Sequence, residues 1–217
     1  MDFDIKNQKG QGLLELVVAI GVITVGLFSV WGLFISNFNG EQEAGARILS
    51  INLAREGVEI VKNIRDSNWL AIENNDSCFH NSVTYDPCYW DSGLDGDGSG
   101  IIVNPFSENV LLDYLAADNL NDGATTIYSD PITGLYSHDN SGQPTTYHRL
   151  IETQNICCSD ANNDLQCDDF NVDFTVKSSS CLASELKVGI DVKSAVSWTL
   201  VGQNRNISVQ ERIFNWK

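Results

Sequence analysis

Oxygen-bearing side chains crowd one short stretch of this sequence, Ser159 to Asn171, SDANNDLQCDDFN. Asp160, Asn162 and Asp164 stand at alternate positions, Asp168 follows, and Asp169 adds another carboxylate. Calcium loops hold their ion with hard oxygen ligands alternating with outward residues. The stretch departs from an EF-hand, having Leu165 where the turn glycine belongs and Asn171 where the closing Glu would stand. Two readings stand: a solvated acidic loop staked by its cysteines, and a calcium site on Asp160, Asn162, Asp164, Asp168 and Asp169. A second candidate, DSGLDGDGSG with Asp91, Asp95 and Asp97, has no clear closing ligand. Six cysteines follow the apolar segment, at Cys78, Cys88, Cys157, Cys158, Cys167 and Cys181. In a chain exported by that segment an even set reads as disulfides. Cys78–Cys88 is the simplest local pair, leaving Cys157 and Cys158 to reach Cys167 and Cys181 in either order. Zinc is the rival, but no C-x-x-C occurs, and His80, His138 and His148 lack ligand spacing. There is no phosphate-binding glycine loop, no G-x-S-x-G, no H-E-x-x-H and no Ser/His/Asp set, so no enzyme activity is expected.

The other chemically odd residue is Glu15, which opens an apolar run. From Leu16 to Ile35 no residue is charged. Twenty such residues at ~1.5 Å each match the ~30 Å hydrocarbon core of a bilayer. A secretory signal peptide fits poorly: MDFDIKNQKG carries two Asp and two Lys, and no A-x-A site follows the run. A carboxylate at the start of an apolar helix is expensive in lipid and points to a function. The order Lys9, Gly10, Gln11, Gly12, Leu13, Leu14, Glu15 and then the run resembles the leader junction of type IV prepilins.

That resemblance implies cleavage between Gly10 and Gln11 by a membrane-embedded prepilin peptidase, then N-methylation of the new terminus. It implies that Glu15 compensates the terminal amine of a neighbouring subunit during assembly. Opposite charges that are costly singly in low dielectric are tolerable as a pair. Two departures favour a minor over a major pilin. Gln11 stands where the family usually has Phe, and Gly21, Gly26 and Gly32 stand in the run where major pilins often carry Pro. The implied partners are other pilin subunits, the peptidase, an inner-membrane assembly platform and, before assembly, membrane lipid. The same signal serves pseudopilins of type II secretion and competence filaments. A single-helix-anchored extracytoplasmic enzyme or binding domain is the remote alternative.

These residues need elements to place them. Beyond the run, 41–66 lacks Pro, and Leu49, Leu53, Ile60 and Ile64 form a stripe at helical period. Arg47, Arg55, Glu56, Glu59, Lys62 and Arg65 take the other positions, with Glu59 and Lys62 spaced for an ion pair. LAREGVEIVKNIRDSNWL resembles the helix end of modification-type minor pilins. The expected division is a leader over 1–10, a membrane and assembly half of the helix over 11–40, an amphipathic half over 41–66, and a disulfide-stapled β headgroup over 67–217. Residues 73–100 read as a stapled surface loop and 107–117 as a short helix capped by Ser107. Turn pairs over 124–151 suggest irregular β-structure. Residues 170–177 and 186–200 and the stretch from Asn206 to Trp216 read as strands, the last two joined by a turn at Gly202–Gln203–Asn204. Trp198 and Trp216 are expected in the sheet–helix interface. The fold class is therefore α+β, a long N-terminal helix packed on a C-terminal antiparallel sheet, as in pilins.

With hydrophobic residues at 42% and charged ones at 19%, most of the chain should fold. A net charge of -16 repels nucleic-acid phosphate and attracts cations. The expected location is the membrane, single-pass with the headgroup extracytoplasmic, and then a surface or periplasmic filament.

Overall fold

A computed structural model describes residues 11–80, 83–94, 97–104, 111–114, 119–120, 122–159, 167 and 174–216. Helix α1 runs over Gln11–Asn74. The chain divides into two compact units at Ala46/Arg47. The first holds the apolar part of α1. The second holds the remainder of the helix and all the strands.

The helix passes the expected end at Asp66 because Ser67–Asn74 contains neither Gly nor Pro and is tied down by Asn68. The Asn68 side chain is buried and donates to the carbonyls of Trp90 and Ser92, at 3.1 and 2.8 Å. Asn75, at φ 55°, then stops the helix. Its N–H reaches the Ile72 carbonyl and that of Asp76 reaches Ala71, the two bonds of a left-handed helix cap.

The strands are β1 (Cys78–His80), β2 (Val83–Tyr85), β3 (Asp97–Asn104), β4 (Leu111–Tyr114), β5 (Thr126–Ser129), β6 (Tyr136–Ser137), β7 (Gln143–Ser159), β8 (Phe174–Lys177), β9 (Glu185–Leu200) and β10 (Gln203–Phe214). Among the described residues, β1 and β2 pair by themselves and the other eight strands form one antiparallel sheet. Its main path is β10-β9-β7-β3-β4, with β5 and β8 also pairing with β7 and β6 pairing with β5.

Several expectations need correction. Residues 111–114 are strand, not helix, and pair with Ile101–Asn104 of β3; short apolar runs do not separate the two states by period. The rest of that predicted helix, Ser107 included, lies outside the described residues. Residues 143–151 belong to β7, a 17-residue strand, rather than to irregular structure. Residues 73–100 are not all surface, since Ser92 and Leu94 are buried. The last turn is at Val201–Gly202, and Gln203 already pairs with Leu200. Trp198 is buried, but Trp216 is 60% exposed, its ring centre 6.0 Å from that of Trp69 and tilted by 48°.

The core of the second unit lies between helix and sheet. Val58, Val61 and Ile64 of α1 meet Leu94, Ile151, Ile190, Val192 and Ile213, while Leu53 and Ala54 meet Ile127 and Val196. The expected stripe is thus present and centred on Leu53–Ile64. Gly57 lets the two layers close: a Cβ there would lie 2.5 Å from Ser194 Oγ and 2.9 Å from Ile151 Cδ1. Lys62 joins the layers at their edge, 3.0 Å from Glu59 and 2.8 Å from Glu211. Those two carboxylates, Glu211 first, hold the Lys62 ammonium above its ordinary pKa.

Candidate functional site

In the first unit the apolar side chains of α1 have no cover. Leu13 is 68% exposed, Phe28 78%, and the large apolar residues from Leu14 to Phe38 are likewise exposed. A stretch this apolar is unfavourable in water and favourable in lipid. It is a helix long and apolar enough to cross a membrane, and it lies near the N-terminus. A helix satisfies its own backbone, as a membrane span must. The hydroxyls in the run are satisfied locally too: Thr24 donates to the Gly21 carbonyl and Ser29 to that of Val25, each at 2.9 Å. Gln11 begins the helix and Glu15 follows one turn later, exposed among Leu13, Leu14 and Leu16. Gly10 lies outside the described residues.

In the second unit the cysteines are all paired. Cys78 joins Cys88, Cys157 joins Cys181 and Cys158 joins Cys167, with Cα–Cα distances of 5.2, 5.6 and 6.4 Å. Adjacent residues of a strand point to opposite faces, so Cys157 and Cys158 staple both sides of β7. Cys157, Cys181 and Glu185 lie close enough to hold a metal, but the sulfurs are bonded to each other. Glu185 also has a partner of its own. Lys177 Nζ reaches both its carboxylate oxygens at 2.6 Å, and Leu182 N–H donates to it at 2.9 Å. These contacts, Lys177 first, lower the Glu185 pKa.

The expected calcium ligands Asp160, Asn162, Asp164, Asp168 and Asp169 lie outside the described residues. Of the second acidic candidate, Asp91 is paired with Lys187 Nζ at 2.8 Å, Asp97 is in β3, and Asp95 lies outside the described residues. His148 Nδ1 faces Thr125 Oγ1 at 3.3 Å.

One charged residue escaped sequence reasoning. Arg149, on β7, is 1% exposed, and its Nη1 contacts Glu56 Oε2 at 3.1 Å and the Leu53 carbonyl at 3.2 Å. Its Nε and Nη2 are buried without a protein partner. Burial lowers the guanidinium pKa, and Glu56 opposes that shift. The only sequence signal is Glu56 itself, a helix carboxylate one position from the buried Gly57. No protein-family model, curated protein or solved structure matches this chain.

Proposed function

We propose that this chain is a structural subunit, of the minor-pilin kind, in a type IV pilus or related filament. It enters the membrane through the apolar part of α1, is cleaved after Gly10, and is extracted from the bilayer to pack its helix against those of neighbouring subunits. Glu15 of one subunit compensates the Gln11 amine of the next and sets the axial register. The headgroup, with its disulfides and acidic surface, lies outside the filament core.

One observation carries this reading: a carboxylate, Glu15, sits one helical turn into α1, at the head of a run whose large apolar side chains from Leu13 to Phe38 are exposed. A plain anchor has no use for that charge, because an intramembrane carboxylate needs a partner. A free amine four residues away in sequence, on a neighbouring copy, is such a partner. The β headgroup on the same helix supports the reading, since it gives the assembled helices something to display.

The test is Glu15→Ala in cells that assemble the filament. The variant is expected to insert in the membrane as the parent does and to be lost from sheared filaments. Incorporation equal to the parent's overturns the pairing mechanism.

A further inference from the structure

Strand β10 is an edge. Among the described residues it pairs with β9 alone, through twelve residues in unbroken register from Gln203↔Leu200 to Phe214↔Gly189. The hairpin closes through two residues, Val201 and Gly202, both at positive φ (50° and 73°), so Leu200 and Gln203 form its hydrogen-bonded closing pair. Hydrogen-bonded and non-bonded pairs alternate from there. Odd-numbered residues of β10 therefore bond to β9, and the N–H and C=O of Asn204, Asn206, Ser208, Gln210 and Arg212 point away from the sheet. Two contacts fit this parity: Asn215 N–H donates to Val188 O at 2.8 Å, and the outward carbonyl of Phe214 faces Arg65 Nη1 at 3.5 Å. All five outward residues are exposed. The strand contains no Pro, no Lys and no bulge, and its charged side chains are Arg205, Glu211 and Arg212, leaving the stretch from Asn206 to Gln210 without the devices that ordinarily protect an edge.

We propose that this edge pairs with the β10 edge of a second copy of the chain, antiparallel about a two-fold axis at Ser208. The strand's own sequence fits itself in that register. Ser208 meets Ser208, Asn206 meets Gln210 and Asn204 meets Arg212, giving about ten main-chain hydrogen bonds from five facing pairs. On the helix-facing side Ile207 meets Val209 and Arg205 meets Glu211, an opposite-charge cross-strand pair formed twice. Moving the axis by two residues either way takes Glu211 from opposite Arg205; moving it to Asn206 also shortens the ladder, and moving it to Gln210 draws in Phe214, whose outward carbonyl already faces Arg65.

Electrostatics also select this strip. The chain carries -16 overall, whereas β10 holds Arg205, Arg212 and Glu211 and is locally positive. Two acidic copies thus meet where their shared charge is absent. An isologous contact of this kind closes on itself. It uses neither Glu15 nor the apolar helix and is independent of the filament packing proposed above.

The experiment uses the full chain in detergent micelles. Ser208→Cys is expected to give a disulfide-linked dimer under mild oxidation, while Asn204→Cys, far from its own copy in this register, gives none. Ser208→Pro removes an outward N–H and no bond to β9, so it keeps the parent's thermal unfolding and sediments as a monomer. Arg205→Glu alone weakens the dimer, and Arg205→Glu with Glu211→Arg restores it. Glu15→Ala leaves the Ser208→Cys cross-link unchanged, which separates this contact from helix-mediated assembly. A parent that stays monomeric, equal cross-linking at 204 and 208, or a dimer that survives Ser208→Pro overturns the proposal.

Discussion

Glu56 approaches Arg149 from solvent, with 40% of its side chain exposed against 1% for the arginine. The two partners therefore respond unequally to removal. Glu56→Gln leaves a guanidinium buried without its counter-charge, and the expected loss is about 2 kcal/mol, reduced from the fully buried case because Glu56 is partly solvated. Arg149→Met replaces the charge with an apolar chain of similar reach and returns Glu56 to water, so the expected loss is smaller, about 1 kcal/mol or less. Denaturant unfolding of both variants decides the point, and the reverse order contradicts it. Gly57→Ala places a methyl against Ser194 and Ile151 and is expected to cost about 1 kcal/mol net, overpacking outweighing the gain in helix propensity. Glu185 gives the pH dependence. Its folded pKa lies below its ordinary value of 4.5, so its contribution is complete above that pH and is lost as pH falls through the folded value. Parent and Glu185→Gln melting temperatures should differ at pH 7 and converge below pH 4.5; a constant gap would contradict the Lys177 pairing.

At the scale of elements, the two-residue hairpin is the clearest place for a correction by design. Val201 is β-branched, 81% exposed and at φ 50°, a conformation that suits Asn or Gly. Val201→Asn creates an Asn-Gly turn and is expected to stabilise the protein by about 1 kcal/mol, read as a shift of the denaturation midpoint without a change of slope. Elements with one-sided burial were legible in the sequence. The stripe from Leu49 to Ile64 and the alternation in β10 both announce one wet face and one dry one. Strand β7 was not legible, because Leu150 and Ile151 are buried as an adjacent pair and Ile156, Cys157 and Cys158 as an apolar run of three, which erases the period-two signal. Arg149 sits at the same place, and a charged letter in a strand ordinarily reads as a solvent face. The remaining two disulfides also needed the fold, since spacing alone did not separate Cys157–Cys181 from Cys157–Cys167.

At the scale of the whole molecule, the chemistry lies at opposite kinds of place: an apolar helical run with one carboxylate at its start, and a stapled sheet with an edge unpaired among the described residues. Length and hydropathy make the first a candidate membrane segment, and the role proposed for Glu15 rests on the junction before it. That role depends on a free amine at Gln11, and hence on removal of residues 1–10. The most direct test is the N-terminal sequence and intact mass of the chain recovered from cells with an active prepilin peptidase. A mature chain beginning at N-methylated Gln11 is expected. A chain that still begins at Met1 in those cells contradicts it.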